Sequence, residues 1–287
     1  MWVIFKYIMN IRQILKDNNF RFNHSLGQNF ITDDNLLKDI VTKSGITSED
    51  IVVEIGTGAG TLTRELAMVA KKVVSFELDK NLIQILNITL QGLDNVEVVF
   101  KDVLKLNDEE LAEIIGGKFK VVANLPYYIT TPLIMRFLES SLDLESITIM
   151  IQQEVANRLV AKSNTADYGV ITVAVELYGN ANIVLNVPKT YFYPMPKVDS
   201  AVVKIDVNRT KYDDINRKEL MKLVKCGFAM RRKVLTNNLK STYNMDRETA
   251  EGILTSVGLD IKVRGEALSI DDYIKLLDAI KIYECKN

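Results

Sequence analysis

The chain contains the segment Ile51-Val52-Val53-Glu54-Ile55-Gly56-Thr57-Gly58-Ala59-Gly60. Its first half is an apolar, β-branched run that predicts a buried strand, and its second half is a turn with three glycines. A helical pattern follows directly, over Thr61–Ala70. Glycines between a strand and a helix allow main-chain amides to approach a ligand closely. Alone, this turn is equally compatible with a plain tight connection, and its spacing differs from the dinucleotide pattern G-x-G-x-x-G.

Similar apolar runs recur along the first two thirds of the chain and predict further buried strands. They are Lys72–Leu78, Val96–Val103, Phe119–Leu125 and Ser146–Ile151. Helical patterns alternate with them, at Asn81–Leu90, Asp108–Ile115 and Thr131–Ser140. This alternation implies crossover connections and an α/β fold with a doubly wound parallel sheet. No helical pattern separates Asn182–Val187 from Ser200–Val207, so we expect a closing hairpin that contains one antiparallel strand.

The last part of the chain is helical and basic. Its predicted helices are Arg217–Phe228, Lys233–Tyr243, Arg247–Ser256 and Ile270–Ile282. Gly258 is expected to end the third helix and Ser269 to cap the last one. We therefore predict two domains, residues 1–207 and residues 208–287, of which the second is small and α-helical.

Residues 1–24 are expected to form an N-terminal lead-in. The apolar stretch Met1–Asn10 is too short to span a bilayer, is interrupted by Lys6 and lacks a small-residue cleavage site. We interpret it as a short helical segment or as a wrongly chosen start, with translation beginning at Met9. No membrane association is expected.

The overall composition excludes several classes of site. The only histidine is His24, and Cys226 and Cys285 lie far apart, so we expect no metal centre and two reduced thiols in a cytoplasmic protein. The net charge of −1 argues against a uniformly basic nucleic-acid binder. A local basic face is still compatible with it, because Arg209–Lys240 carries ten Lys or Arg against three Asp or Glu.

Acidic residues near the ends of two predicted strands favour a nucleoside ligand. Glu77 follows Gly60 by 17 residues and can accept hydrogen bonds from both hydroxyls of a ribose. Asp102 is expected at a similar height on the next strand, where it can accept from an adenine amino group. Either acid alone is also compatible with a solvated strand end. Together with Gly56 and its turn, they predict a cofactor site at the carboxyl edge of the sheet.

A second motif, Asn124-Leu125-Pro126-Tyr127, ends the fourth predicted strand beside the same crevice. The Asn124 side-chain oxygen can accept a hydrogen bond from an exocyclic amine. Pro126 disfavours helical backbone at Leu125 and directs the Leu125 carbonyl outward as a second acceptor. Tyr127 can stack on a ring face. The motif is also compatible with an ordinary strand-to-helix turn, but beside the glycine turn it predicts methyl transfer from S-adenosylmethionine to the amine of a base.

The sequence resembles the KsgA/RsmA family of ribosomal RNA adenine dimethyltransferases over nearly its whole length. The matching motifs, in order, are SLGQNF at 25–30, EIGTG at 54–58, ELD at 77–79, NLPY at 124–127, QEVANRL at 153–159, PMPKVDS at 194–200, RRK at 231–233 and RGEALS at 264–269. The sequence departs from the family's usual residues at Ile31, Thr57, Ala123 and Met195. These changes leave the proposed polar contacts in place.

The resemblance implies a Rossmann-like class I methyltransferase fold with S-adenosylmethionine as donor and no metal. It implies N6,N6-dimethylation of two adjacent adenosines in the 3′-terminal hairpin of 16S rRNA, within an immature 30S subunit. The residues implied to contact the cofactor are Asn29, Ile31, Gly56, Glu77, Asp102 and Asn124. Those implied to hold the target adenine are Asn124, Tyr127 and Phe192, with the Leu125 carbonyl as the predicted second acceptor. An adenine in a hairpin loop is easier to expose than one in a duplex.

Arg231, Arg232 and Lys233 lie within the basic segment. Such a triplet is often a solvated helix surface, but here we expect phosphate contact, which makes residues 208–287 a candidate RNA-binding domain. The protein is expected to be a monomer. Two alternatives stay open: an Erm-like 23S rRNA adenine methyltransferase, and a non-catalytic ribosome-assembly factor that binds RNA on the same fold.

Overall fold

A computed structural model describes residues 10–23 and 26–285 of the chain. Met1–Met9, for which a lead-in helix is expected, lies outside the described residues, as do His24 and Ser25. The chain forms two compact units. The first extends as far as Ala156 and also includes Asn182–Val207. The second comprises Asn157–Ala181 and the chain from Asn208 onward.

The first unit is built on a mostly parallel sheet of seven strands. The strands of the chain are β1 (Phe30–Ile31), β2 (Ile51–Ile55), β3 (Lys72–Phe76), β4 (Val96–Val99), β5 (Phe119–Asn124), β6 (Leu144–Gln152), β7 (Gly179–Val187), β8 (Phe192–Tyr193) and β9 (Ser200–Val207). The sheet order is β4-β3-β2-β5-β6-β9-β7. The first five strands in this order run parallel, and β9 runs antiparallel to β6. A separate two-stranded antiparallel sheet pairs β1 with β8.

Helices flank this sheet because its central strands are apolar on both faces. Val52, Val53, Val121 and Val122 have no exposed surface. The helices are α1 (Ile11–Asp17), α2 (Asp34–Ser44), α3 (Thr61–Ala67), α4 (Ile83–Thr89), α5 (Asp108–Ile115), α6 (Thr130–Leu138) and α7 (Gln153–Leu159). α2 and α3 share one hydrophobic cluster with the central strands, and α1 and α4 share another with Phe30.

The second unit is helical. It contains α8 (Val170–Glu176), α9 (Arg217–Ala229), α10 (Leu235–Tyr243), α11 (Arg247–Ser256) and α12 (Ile270–Glu284). α9 approaches the turn before α12 so closely that a Cβ atom at Gly265 would overlap the carbonyl of Gly227. The Tyr273 hydroxyl donates to the Gly265 carbonyl at 2.9 Å and ties α12 to this turn. Ser269 caps α12 as expected, in a capping box with Asp272.

The predicted strands and helices are confirmed except at some of their ends. β4 ends at Val99 instead of Val103, and β3 ends at Phe76, so Glu77 and Asp102 both lie beyond their strands. α10 begins at Leu235, not Lys233, because residues 231–233 form a turn. The sequence analysis did not predict α1, α2, α7 and α8. α1, α7 and α8 have only seven residues each, whereas α2 has a regular apolar face formed by Leu36, Leu37, Ile40 and Val41. Among the described residues, each helix is too short or too polar to span a bilayer.

Candidate active site

A cleft of about 320 Å³ opens at the carboxyl ends of β2, β3 and β5 in the first unit. Carboxyl ends of adjacent parallel strands meet at one edge of a sheet, which is where ligands of open α/β sheets bind. The lining includes every residue predicted to hold a cofactor or target base. These residues are Asn29, Ile31, Gly56, Glu77, Asp102, Asn124, Leu125, Tyr127 and Phe192.

The glycine turn after β2 has a backbone shape that requires glycine. Gly56, Gly58 and Gly60 have φ of +81°, +55° and +78°, values that other residues adopt only with strain. At Gly58 a Cβ would also lie 3.0 Å from the Phe30 ring. The three glycines therefore fold the chain tightly between β2 and α3 and keep its main chain accessible from the cleft.

Glu77 connects this turn to the residues after β3 through hydrogen bonds. Its Oε2 accepts a hydrogen bond from the Gly58 amide at 2.8 Å, and its Oε1 accepts from the amides of Leu78 at 2.7 Å and Asp79 at 2.8 Å. Only 7% of Glu77 is exposed, and burial raises the pKa of its carboxyl above the ordinary value despite these donors. Oε1 already accepts two hydrogen bonds, so the lone pair that remains for a ligand hydroxyl is on Oε2, which accepts one.

Asp102 lies three residues beyond β4, because the chain leaves the sheet at Val99. Its side chain caps the 3-10 turn Val103–Lys105 by accepting from the Leu104 amide at 3.1 Å. Lys105 lies 3.7 Å from its other carboxylate oxygen. Asp102 still borders the cleft, but a loop rather than a strand end positions it.

Asn124 connects β5 to the segment before β1. Its Nδ2 donates to the main-chain oxygen of Asn29 at 3.0 Å. The Asn29 side chain in turn donates to the Gly27 carbonyl at 3.0 Å, in a turn where Gly27 has φ of +61°. Because the carboxamide is planar, the bond to Asn29 orients Oδ1 of Asn124 away from Asn29 as an acceptor.

The three residues after Asn124 turn the chain and are held by hydrogen bonds and by the proline backbone. The Leu125 amide donates to the Met150 carbonyl at 3.2 Å, and Pro126 has extended backbone with φ −57° and ψ 130°. Tyr127 begins a 3-10 turn, and its hydroxyl is 3.0 Å from Oγ of the fully buried Ser200. Burial raises the pKa of the Tyr127 phenol, so the hydroxyl is neutral at ordinary pH.

Phe192 and Ile31 are paired residues of the small β1–β8 sheet. They are 3% and 2% exposed and belong to the hydrophobic cluster of α2 and α3. Phe192 lies in β8, where it forms an apolar part of the cleft wall.

Sequence reasoning missed a buried polar network beneath the cleft. Glu54 Oε2 accepts from the Thr63 hydroxyl at 2.6 Å and from the Ser75 hydroxyl at 2.7 Å, and Ser75 also contacts the Thr57 hydroxyl at 2.6 Å. Glu54 is 1% exposed, and burial raises the pKa of its carboxyl to about 8. The sequence does contain a signal for this network: Glu54 lies within an otherwise apolar strand, and a buried carboxyl needs hydrogen-bond partners inside the protein.

A second missed contact holds residues 26–31, which line the cleft. Nε2 of Gln28 donates to Asp79 Oδ2 at 2.7 Å, and Oε1 of Gln28 accepts from the Asn23 amide at 2.7 Å. Gln28 belongs to the SLGQNF motif and Asp79 to the ELD motif, but the sequence alone does not predict a contact between them. The spacing between them, 51 residues, is beyond the reach of local pattern reasoning.

The basic triplet lies in the second unit, in the turn between α9 and α10. Arg231 is engaged within this unit. It donates to the carbonyls of Ala166 and Tyr168 at 3.0 and 3.1 Å and forms an ion pair with Glu266 at 3.2 Å. Arg232 and Lys233 are exposed. The three cations therefore have different surroundings.

The described residues contain no group of three or more His, Cys, Asp or Glu side chains that could hold a metal ion. Cys226 is buried and Cys285 is exposed, and both are free thiols.

Comparison with known proteins identifies the family. The family model for ribosomal RNA adenine dimethylase matches residues 19–281. Proteins named ribosomal RNA small subunit methyltransferase A are similar to this chain. The one from Clostridium botulinum (strain Okra / Type B1) is 46% identical, over 95% of this chain and 98% of its own length. The one from Enterococcus faecalis (strain ATCC 700802 / V583) is 45% identical, over 94% of each chain.

Two solved structures are also similar. A dimethyladenosine transferase from Plasmodium falciparum has a TM-score of 0.74 and 27% identity, over 89% of this chain and 98% of its own. The 23S rRNA methyltransferase ErmE has a TM-score of 0.67 and 26% identity, over 88% and 99%. The family model matches most of this chain, and the relatives align with nearly all of it. This chain therefore belongs to the ribosomal RNA adenine dimethylase family.

Proposed function

We propose that this protein transfers methyl groups from S-adenosylmethionine to the N6 amines of two adjacent adenosines in the 3′-terminal hairpin of 16S rRNA, giving N6,N6-dimethyladenosines. The observation that carries the proposal is the shared cleft of Glu77 and Asn124. It brings a carboxylate and a carboxamide to the same edge of the sheet. Family membership supports the base and the reaction class.

The cleft residues fit S-adenosylmethionine as the methyl donor. Glu77 would accept from a ribose hydroxyl through the open lone pair of Oε2, and Asp102 would accept from the adenine amino group. The main chain near Gly56 has room for the methionine part, since a Cβ there would meet only Asn124 and Pro126 atoms at 3.8 and 3.9 Å. Asn29, Ile31 and Asn124 would complete the contact. When bound, the donor supplies an electrophilic methyl group on a positively charged sulfur.

The target amine would be held by two oxygen acceptors. Oδ1 of Asn124 and the Leu125 carbonyl would accept its two hydrogens and draw the nitrogen toward tetrahedral geometry, so that its lone pair is directed at the methyl group. Tyr127 and Phe192 would hold the adenine ring. Positioning and hydrogen bonding then supply most of the rate enhancement.

No strong base is required in this scheme. The alkylated amine is acidic and loses its proton readily to water. The nearby carboxyls fit this division of roles, because Glu77 is occupied by three main-chain amides and Glu54 by two hydroxyls. These acids organise the glycine turn, and the amine chemistry is left to Asn124 and Leu125.

The second unit is proposed to contact RNA through the exposed Arg232 and Lys233, in line with the predicted RNA-binding role of residues 208–287. The substrate is proposed to be an immature 30S particle, because the chain has no evident module that reads RNA sequence. We propose that the protein acts as a monomer in the cytoplasm. The free thiols Cys226 and Cys285 are compatible with a reducing compartment.

The two alternatives have weaker support. ErmE, named for 23S rRNA, is 26% identical to this chain, whereas the relatives named for the small subunit are 43% to 46% identical. A non-catalytic assembly factor would have no need for the cleft arrangement of Asn124, Tyr127 and Glu77. An assembly role in addition to catalysis is compatible with the proposal.

The test is methyl transfer to purified ribosomal particles. The protein is incubated with labelled S-adenosylmethionine and either unmethylated small subunits or large subunits, and the modified nucleosides are identified and mapped. We expect label only in small subunits, as N6,N6-dimethyladenosine at two adjacent positions. Label in 23S rRNA would favour the Erm-like alternative, and no label in either particle would reject catalysis.

A further inference from the structure

The mouth of the cleft carries an aromatic ring that the proposed function does not use. Tyr128 lines the cleft directly after Tyr127, yet 56% of the residue is exposed. Within the part of the chain that the structure describes, its side chain takes part in no hydrogen bond, ion pair or ring contact. An exposed aromatic ring without partners at the entrance of a cleft is available for stacking on a base.

The two tyrosines face different parts of the cleft. Both lie in the 3-10 turn Tyr127–Ile129. Successive side chains in such a turn are rotated by about 120° around its axis. Tyr127 is directed inward, toward the buried Ser200 at 3.0 Å. The rotation therefore directs Tyr128 away from that interior contact and toward solvent at the mouth.

The main chain supports Tyr128 without covering it. A Cβ at Gly27 would lie 3.9 Å from Cδ1 of Tyr128 and 3.4 Å from Cβ of Pro126, so the Gly27 backbone packs beside the ring. Pro126 restricts the chain just before the turn. The Gly27 segment thus lies beside the ring, and more than half of the residue is open to a planar partner.

We propose that Tyr128 stacks on the base of the nucleotide adjacent to the adenosine held in the cleft. The inference rests on the proposed function, in which the two target adenosines are neighbours. Adjacent nucleotides share a phosphate, so the neighbour of a base held at Tyr127 lies at the cleft mouth. Stacking needs no base-specific hydrogen bond, and either adenosine can occupy Tyr128 while the other is methylated.

The test compares kcat/KM for unmethylated small subunits among Tyr128→Ala, Tyr128→Leu and Tyr128→Phe. Tyr191→Ala is the matched control, since Tyr191 is a 36% exposed tyrosine in the 3-10 turn Lys189–Tyr191. We expect the alanine and leucine variants to lose about tenfold, mainly through KM, because one base–aromatic stack has about that value. The phenylalanine variant and the control should stay within about twofold of wild type.

Two kinetic outcomes would reject the stacking role. One is a Tyr128→Ala variant with wild-type kcat/KM, and the other is equal loss in the leucine and phenylalanine variants. Loss of cofactor affinity or of thermal stability in Tyr128→Ala would show a structural role instead, and would also reject it. These failures are distinct from failure of the proposed function, which would appear as absence of adenosine methylation by the wild-type protein.

A modified substrate gives a second measurement. Small subunits are reconstituted with 16S rRNA that has an abasic nucleotide in place of the adenosine next to the target. The wild-type protein should lose about tenfold in kcat/KM, and Tyr128→Ala should show no further loss, because both changes remove the same stack. If Tyr128→Ala lost further kcat/KM on the abasic substrate, so that the two losses added, the inference would be contradicted.

Discussion

The side-chain nitrogen of Asn124 donates a hydrogen bond to the main-chain oxygen of Asn29 at 3.0 Å. This bond joins the end of β5 to a segment 95 residues earlier in the chain. It determines which atom of the carboxamide is left for a ligand, since Nδ2 is used and Oδ1 is oriented away from Asn29. The acceptor of the proposed amine contact is therefore oriented before RNA binds, which is the condition for effective electrostatic catalysis.

Glu77→Gln is expected to weaken S-adenosylmethionine binding at least about tenfold. Three main-chain amides point at the carboxylate, so an amide NH₂ in place of either oxygen sets donor against donor and displaces the glycine turn. Isothermal titration calorimetry measures the change. Glu97→Gln, at an exposed glutamate of β4 whose partner is Lys72, is the control and should bind normally. An unchanged affinity in Glu77→Gln would contradict the role of Glu77.

Glu54→Gln is expected to reduce the pH dependence of stability. Burial raises the pKa of Glu54 to about 8, with a smaller contribution from the charge of Glu77. In the folded protein the carboxyl thus keeps its proton between about pH 4.5 and pH 8, whereas in the unfolded chain it loses it. The native state therefore binds more protons, and the free energy of unfolding falls as pH rises through this window.

The glutamine side chain cannot ionise, but its oxygen can still accept from the Thr63 and Ser75 hydroxyls. The variant should therefore lose less stability than the wild-type protein as pH increases, and the two curves should approach each other at acidic pH. Urea unfolding at several pH values gives the comparison. Parallel curves for the two proteins would show that Glu54 ionises normally in the folded state.

Gly60→Ala is expected to destabilise the first unit more than Gly92→Ala. Both positions have φ near +80°, so both substitutions strain the backbone by about 1 kcal/mol. A Cβ at Gly60 would also lie 2.7 Å from Thr89 Oγ1, while none lies within 4 Å at Gly92. The clash adds about 1–2 kcal/mol. Denaturant unfolding measures the difference, and equal losses would mean that Thr89 shifts without cost.

Much of the sheet could be predicted from the sequence because it depends on local patterns. The run Ile51–Ile55 is apolar at each position but one, and its bounds agree with β2. The predicted ends of strands were wrong where a side-chain hydrogen bond overrides the sequence pattern. Val96–Val103 continues to read as a strand, but Asp102 accepts from the Leu104 amide and turns the chain into a 3-10 turn. Propensity does not detect such competition.

The candidate site was also predictable residue by residue, but its connections were not. Asn124 and Glu77 were chosen for their chemistry at strand ends, and both line the cleft. Their partners Asn29 and Gly58 are far away in sequence and become neighbours only through the fold. The partners of Arg231 could not be predicted either. They are the carbonyls of Ala166 and Tyr168, in a segment that the sequence patterns assigned to the other domain.

Arg231→Ala is expected to lower thermal stability, because it removes two hydrogen bonds to carbonyls and an ion pair with Glu266.

The double variant Arg232→Ala/Lys233→Ala should leave stability unchanged and weaken RNA binding. The slope of log affinity against log salt should fall by about 1.5 in the double variant if each cation contacts one phosphate. Filter binding across a salt series tests this, and an unchanged slope would exclude phosphate contact by Arg232 and Lys233.

The most direct measurement is the single-turnover rate of methyl transfer by Asn124→Ala, with saturating S-adenosylmethionine and small subunits. Asn87→Ala, at an exposed asparagine of α4, is the control and should react at the wild-type rate. If the Asn124 oxygen holds the adenine amine, the rate should fall by about 10²–10³-fold while the particle still binds. A rate within about tenfold of wild type would contradict the proposed role of Asn124 in catalysis.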